Sequence, residues 1–220
     1  MDNFVFDKKL EKVIEANTNK WIDWIIDLQS IAQNGLTYGK DTFDLERYQL
    51  LRNISAEMMS EISNLPLQKI KNLFCNERGY QTPKLDTRTA IFKNEKILLV
   101  KENNDKWSLP GGWVDVQKSA AESAIQEVKE EAGLNINLSK VIAIQDRDKH
   151  NYPKQVSRII KIFFLGELID GEFKENIETR ASNYFTLNEL PELDAAKTTR
   201  EQINMCYQAS QTENWQTYFD

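Results

Sequence analysis

Residues 112–134, GWVDVQKSAAESAIQEVKEEAGL, decide how this chain is read. The stretch predicts a loop that runs into one helix. Ser119 followed three residues later by Glu122 matches a capping box, which starts the helix near Ala120. Gly133 supplies the C-terminal stop. With side chains turning about 100° per residue, Ala121, Ile125, Val128 and Ala132 share one face and read as core. Glu127, Glu130 and Glu131 share another. Like charges at these spacings cost roughly a few tenths of a kcal/mol each. Acids in the last turn also oppose the helix dipole. A divalent cation would turn that repulsion into coordination, because Mg²⁺, Mn²⁺ and Ca²⁺ take carboxylate oxygens. The plain alternative is a solvated acidic face.

The residues just upstream favour the cation. Leu109-Pro110-Gly111-Gly112-Trp113 is a proline-stiffened approach to the helix. Its two glycines let the backbone come close to a ligand and leave carbonyl oxygens accessible as donors. Loop and helix together resemble the Nudix box, whose pattern is Gly, five residues, Glu, seven residues, then Arg-Glu-apolar-x-Glu-Glu-x-Gly-apolar. Here the register runs Gly112, Lys118, then Gln126-Glu127-Val128-Lys129-Glu130-Glu131-Ala132-Gly133-Leu134. Lys118 stands where the pattern has Glu, and Gln126 where it has Arg. In the family that Arg helps orient the glutamates and the first Glu assists the site. The resemblance implies a metal site built from Glu127, Glu130, Glu131 and the Gly112 carbonyl, with Mg²⁺ or Mn²⁺ as cofactor. The glutamates would be catalytic through that metal.

Composition sets the outer bounds. The chain has 220 residues, enough for one or two domains with a sizeable core. Its net charge of −6 disfavours binding to nucleic acid or anionic membrane by bulk charge. The 2 cysteines, Cys75 and Cys206, are far apart and form no CxxC pair, so neither a zinc site nor a disulfide scaffold is indicated. The start, Met-Asp-Asn-Phe, opens no long apolar run. The expectation is a protein without signal peptide or membrane span, in a reducing, cytoplasmic setting.

Going along the chain, residues 1–18 read as a short amphipathic stretch through Phe4, Leu10, Val13 and Ile14, or equally as a mobile arm. Trp21, Trp24, Ile25, Leu28 and Ile31 follow helical spacing, with Gly35 as the stop. Tyr48, Leu51, Ile54, Met58 and Ile62 predict a second helix, broken at Asn64-Leu65-Pro66, and Leu67–Phe74 a third. These helices carry no Gly-rich loop or acid cluster, so they read as a helical module, residues 1–78, that packs on itself, on the next domain or on a second subunit. Residues 76–83, NERGYQTP, read as a linker. A domain over residues 84–220 follows. Residues 87–92 and 96–101 predict a hairpin, and 141–145, 158–168 and 183–186 further strands. Residues 198–208 predict a last helix. Periodicity alone gives an α+β fold. The resemblance sharpens it to a Nudix α/β/α sandwich preceded by a small all-α N-terminal domain.

Other residues carry candidate chemistry. Arg147, Lys149 and His150 concentrate positive charge beyond a strand and suit a phosphate or pyrophosphate. Trp113 is a candidate substrate contact beside the Gly pair. Family members often place an extra glutamate before a late strand, and Glu178 matches that interval, as a further metal ligand or a general base. Other stretches, among them Gly79-Tyr80-Gln81-Thr82-Pro83 and Asp146 to Asn151, resemble the subgroup that has an N-terminal helical domain and hydrolyses nucleoside diphosphates linked to another moiety. The resemblance implies ADP-ribose or CDP-choline as substrate and a homodimer as the assembly. Two competing readings use the same residues. One is a Nudix module that senses a nucleotide without hydrolysing it, favoured by Lys118 and Gln126. The other is an exonuclease at RNA ends, which net charge disfavours.

Overall fold

The computed structural model describes residues 2–155 and 157–220, with side chains described from residue 19 onward. The chain divides into two compact units, Met1–Thr82 and Pro83–Asp220.

The first unit is helical: α1 (Asp2–Tyr38), α2 (Thr42–Ser63) and α3 (Leu67–Phe74). Gly35 does not stop α1, which continues to Tyr38. Its bare Cα lies under the Tyr48 ring, where a built Cβ would sit 2.3 Å from the ring carbons. The glycine is thus spent on close helix packing rather than on termination. Ile25, Ala32, Ala56, Met59 and Ile70 form the buried centre. The proposed amphipathic face of Phe4, Leu10, Val13 and Ile14 falls on side chains outside those described.

The second unit is a mixed sheet between two helices. Its strands are β1 (Lys84–Lys93), β2 (Lys96–Glu102), β3 (Trp107–Ser108), β4 (Leu134–Asp146), β5 (Ile159–Gly171), β6 (Thr179–Phe185) and β7 (Tyr218–Phe219). The order is β3-β2-β1-β5-β4-β7, with β6 also paired to β2. β1 and β2 form the expected hairpin, and Asn94 and Glu95 both take positive φ at its tip, as a tight primed turn requires. β1 then pairs in parallel with β5 over its length. β4 is much longer than residues 141–145, because it starts directly from the Gly133 cap and pairs along the whole of β5.

Side chains alternate across the sheet. Ala90, Ile97 and Leu99 face α6 (Arg200–Gln211), packing with Ile203, Cys206 and Ala209. Ile91, Leu98 and Val100 face α4 (Ala120–Ala132), packing with Val128 and Ala132. One helix on each face makes the α/β/α sandwich. α4 begins at the Ser119–Glu122 capping box and ends at Gly133, whose φ of 71° is left-handed. Its rotation differs from the expected one. Ala124, Val128, Glu131 and Ala132 are buried, whereas Ile125 is 38% exposed. Turning Glu131 inward brings Ala124 to the sheet and pushes Ile125 out.

Candidate active site

Residues 109–114 leave β3 and lie back along β1. Thr89 N–H donates to Pro110 O, Thr87 N–H to Gly112 O at 2.8 Å, and Val114 N–H to Leu85 O. Arg88 Nη1 donates to Leu109 O at 3.1 Å. Gly111 has φ of 144°, and a Cβ there would lie 1.9 Å from Thr87 O, so no other residue fits. This pose aims the Gly111 N–H at the Glu131 carboxylate, 2.8 Å away. The loop therefore joins β1 on one side to α4 on the other.

Between them opens a cavity of about 700 Å³. Glu127 and Glu131 line one part of it, with Gly111, Gly112 and Trp113 beside them and Glu178 also at its wall. Among the described residues, the three box acids are not gathered into one metal-holding group. Glu130 is exposed, is not among the cavity-lining residues, and accepts from Gln126 Nε2 at 2.7 Å. Burial first, and then the neighbouring Glu130, push the Glu127 carboxyl up to about 7. Burial pushes Glu131 to about 7 as well, against the pull of Arg88 and the Gly111 N–H. Two acids that resist ionisation side by side are suited to an added positive charge.

The Gly112 carbonyl, expected as a metal donor, accepts the Thr87 N–H from β1 with one of its two lone pairs, and Gly112 lines the cavity. Gly112 also leaves space: a Cβ there would stand 2.8 Å from Glu127 Oε1. Of the basic trio, only Arg147 lines the cavity, buried and paired with Asp148 at 2.8 Å. Lys149 is exposed and not on the lining. His150 is turned to Asp220, with Nε2 2.7 Å from Oδ1. These three follow one another in a single helical turn, α5 (Arg147–His150), so their side chains fan outward and only one points inward. Trp113 is at the cavity mouth, 53% exposed.

Lys118 and Gln126, the two departures from the box pattern, touch each other. Lys118 Nζ donates to Gln126 Oε1 and to Asp115 Oδ2. Gln126 in turn donates to Glu130. The pair forms a bridge between loop and helix.

Glu178 is held by Asn176. The Asn176 Oδ1 accepts both the Glu178 N–H (3.0 Å) and the Thr179 N–H (2.8 Å), while its Nδ2 donates to the Glu130 carbonyl at 2.9 Å. On the other side Asn103 Nδ2 donates to Ile177 O at 2.8 Å. The Glu178 backbone is thereby tied to both α4 and the β2–β3 turn.

The remaining cavity residues were not singled out from sequence. Asp86 and Arg88 come from β1, Lys161 from β5, Glu102 from β2 and Lys197 from the stretch before α6. Asp86 and Lys161 are register partners across the parallel β1–β5 pair. Burial works against the Arg88 charge, but attraction to Asp86 and their hydrogen bonds outweigh it and raise its pKa. The signal was present: Lys161 interrupts the apolar run IIKIFF, and a charge inside a buried strand needs a reason.

Comparison with known proteins places this geometry. Residues 19–74 match the model of a UDP-X-like, N-terminal oligomerisation domain. Residues 83–206 match the NUDIX domain. The chain is 38% identical over 202 residues to a putative ADP-ribose pyrophosphatase, YjhB, of Bacillus subtilis, covering 91% of this chain and 97% of that one. A solved ADP-ribose pyrophosphatase of Streptococcus suis is 51% identical with a TM-score of 0.60, covering 63% of this chain and all of that one. A solved UDP-X diphosphatase is 32% identical with a TM-score of 0.60, over 92% of this chain and 99% of that one. With the domain match spanning more than half its length and falling on the acid-lined loop and helix, the chain belongs to the Nudix family.

Proposed function

We propose that the protein is a metal-dependent pyrophosphohydrolase that splits the diphosphate of a nucleoside diphosphate linked to another moiety, of the ADP-ribose type. The observation that carries this reading is the cavity itself. Buried Glu131 and half-buried Glu127 stand on the same lining as Arg88, Arg147 and Lys161. Such a site can hold cations and phosphate oxygens together. ADP-ribose is put first because it is in the names of two of the relatives described, one of them matched over nearly the full length of both chains. UDP-linked and CDP-choline-type substrates remain for the test.

Glu127 and Glu131 would hold Mg²⁺ or Mn²⁺, both of which take all-oxygen ligands. Among the described residues, no group of three Cys, His, Asp or Glu side chains is arranged to hold an ion. Two carboxylates supplemented by water and substrate phosphate suit Mg²⁺, which usually keeps several waters. When bound, the metal offsets the charge of the phosphates and lowers the pKa of water. Glu178 accepts the proton of the attacking water. Arg147 holds a non-reacting phosphate oxygen, and Trp113 offers a flat apolar face to the nucleoside or its partner. Glu130 anchors Gln126 and repels the Glu127 charge rather than lining the cavity. Products are a nucleoside monophosphate and a phosphorylated partner.

The helical unit, read as residues 1–78, joins two copies. Exposed Trp21, Trp24, Ile31, Phe43 and Leu50 support that reading, together with the oligomerisation domain matched there. Among the described residues no helix is long and apolar enough to cross a membrane. The unpaired thiols of Cys75 and Cys206 fit a reducing, cytoplasmic compartment.

Incubation of ADP-ribose, CDP-choline, UDP-linked sugars, diadenosine polyphosphates, nucleoside triphosphates and 5′-capped RNA with Mg²⁺ or Mn²⁺ tests the reading, with products identified by mass. Release of AMP and ribose 5-phosphate is expected. Ligand-dependent melting shifts without any monophosphate would identify a sensor instead. A finer expectation concerns Asn176. Asn176→Ala should lower kcat about tenfold with KM within about twofold, because Glu178 loses its orientation while binding groups stay in place. Steady-state kinetics read the split directly.

A further inference from the structure

Four cationic side chains line the cavity among the described residues, and three are in direct contact with a carboxylate. Arg88 grips both oxygens of Asp86, at 2.8 and 3.0 Å. Arg147 is paired at 2.8 Å with Asp148, which also holds Arg158. Lys197 is paired with Glu102. Lys161 has only Asp86 at 4.0 Å, a carboxylate already taken up by Arg88, and the carbonyl oxygen of Lys197. Its side chain is 3% exposed. A buried ammonium is strongly unfavourable unless paired and hydrogen-bonded. One carbonyl leaves donors of the ammonium to spare. Among the described residues, the protein builds a cation into the cavity wall and gives it no carboxylate within hydrogen-bonding distance.

We propose that Lys161 forms an anion subsite that takes a phosphate group of the substrate, which supplies a counter-ion in direct contact. That the anion is a phosphate rests on the pyrophosphohydrolase reading; that an anion belongs there rests on the pairing alone. The groups facing Lys161 set its behaviour. Arg88 and Asp86 approach from β1, Arg147 from α5, and Asp194 and Lys197 from the stretch before α6. Burial and then the Arg88 charge, with Arg147 adding to it, hold the ammonium down to about 7, against Asp86 and Asp194. Near neutral pH the empty site therefore holds Lys161 partly unprotonated. A phosphate entering the site favours the charged form, so binding draws a proton from solvent. The lysine gains that proton and the buffer loses it; no bond of the ligand changes.

The test is calorimetric titration of the full chain without metal, in EDTA at pH 7.5, using ADP-ribose with a methylene-bridged diphosphate. Running it in two buffers of different ionisation enthalpy gives the protons taken up. Lys161→Met should weaken binding at least tenfold. Lys161→Arg, which is always charged, should still bind but take up fewer protons than the wild type, by roughly half a proton or more. Glu127 and Glu131 contribute to both proteins alike, so the difference isolates the lysine. Thermal melting without ligand supplies a second reading. Lys161→Met should melt at or above the wild-type temperature, since it removes a buried ammonium that no carboxylate hydrogen-bonds. Should Lys161→Arg fail to fold, the Met variant decides by affinity and melting together. Unchanged affinity in Lys161→Met, or a lower melting temperature with unchanged affinity, would mark the lysine as structural and overturn the proposal. The result is separable from the hydrolase reading. Lysine-dependent binding without turnover of any substrate keeps the subsite and removes the enzyme. Turnover sensitive to Glu131→Gln, with binding indifferent to Lys161, does the reverse.

Discussion

Replacing Glu131 by Gln is expected to lower kcat on the preferred substrate about a thousandfold or more, equivalent to about 4 kcal/mol of transition-state stabilisation. The size follows from the place of the carboxylate. Glu131 is 6% exposed, lines the cavity and is fixed by the Gly111 N–H. Gln keeps an oxygen to accept that N–H and nearly the same volume, so the fold should persist. What it loses is the negative charge that, on the proposed reading, holds a divalent cation. Glu130→Gln provides the control. Glu130 lies outside the cavity lining and touches Gln126, so its loss should cost about tenfold or less. Steady-state rates for both variants, with circular dichroism to verify folding, check the ranking. If Glu130→Gln proves the more damaging, the assignment of roles along α4 is wrong.

The same residue should have the opposite effect on stability. Burial raises the folded-state pKa of Glu131 from 4.5 to about 7. Between those values the folded protein keeps a proton that the unfolded chain has released. Stability from this group is therefore present at low pH and lost as pH rises through that window. Linkage gives on the order of 3 kcal/mol in total, at about 1.4 kcal/mol for each unit of pKa. Glu127 adds to the loss with the same sign, but it is only half-buried and water screens it. Without metal, Glu131→Gln should thus match the wild type at pH 5 and exceed it by roughly 2–3 kcal/mol at pH 8. Chemical denaturation in EDTA at the two pH values checks this. Lys161 works in the other direction, because a depressed lysine pKa means stability gained as pH rises above about 7. Taking the variant minus the wild type at each pH removes that contribution. A difference that stays flat from pH 5 to pH 8 would show that Glu131 is ionised in the empty protein.

An acid that destabilises the fold and serves a ligand fits a general pattern, in which function is held at some cost in stability. Residues 112–134 showed it in sequence, where acids crowd a helix end that disfavours them. The capping box, the Gly133 stop, the β1–β2 hairpin and the buried β5 were all legible, because each depends on neighbours in the chain. The rotation of α4 was not. Helical spacing groups Ile125 with Val128, but the pull of Gly111 N–H on Glu131 comes from a loop whose path only the folded sheet defines. Arg147, Lys149 and His150 looked equivalent as a run of charge. Their separation into one inward and two outward side chains is set by a single helical turn after β4. Asp86 and Lys161 are 75 positions apart in the chain and meet only because β1 and β5 pair in parallel at that register. Strand pairing between distant segments is the part of a fold that local pattern reports least.

The loop over residues 109–114 has one more consequence. Its spacing from β1 and from α4 is set by main-chain amides and carbonyls, with Gly111 admitting no side chain at all. The gap between the acid-bearing helix and the cation-bearing strands is accordingly a backbone dimension. Rim positions such as Trp113 and Asp115 can be exchanged to change what is admitted, while the span between helix and strands stays the same. Redesign toward new leaving groups should begin at those rim positions and leave the glycine pair alone.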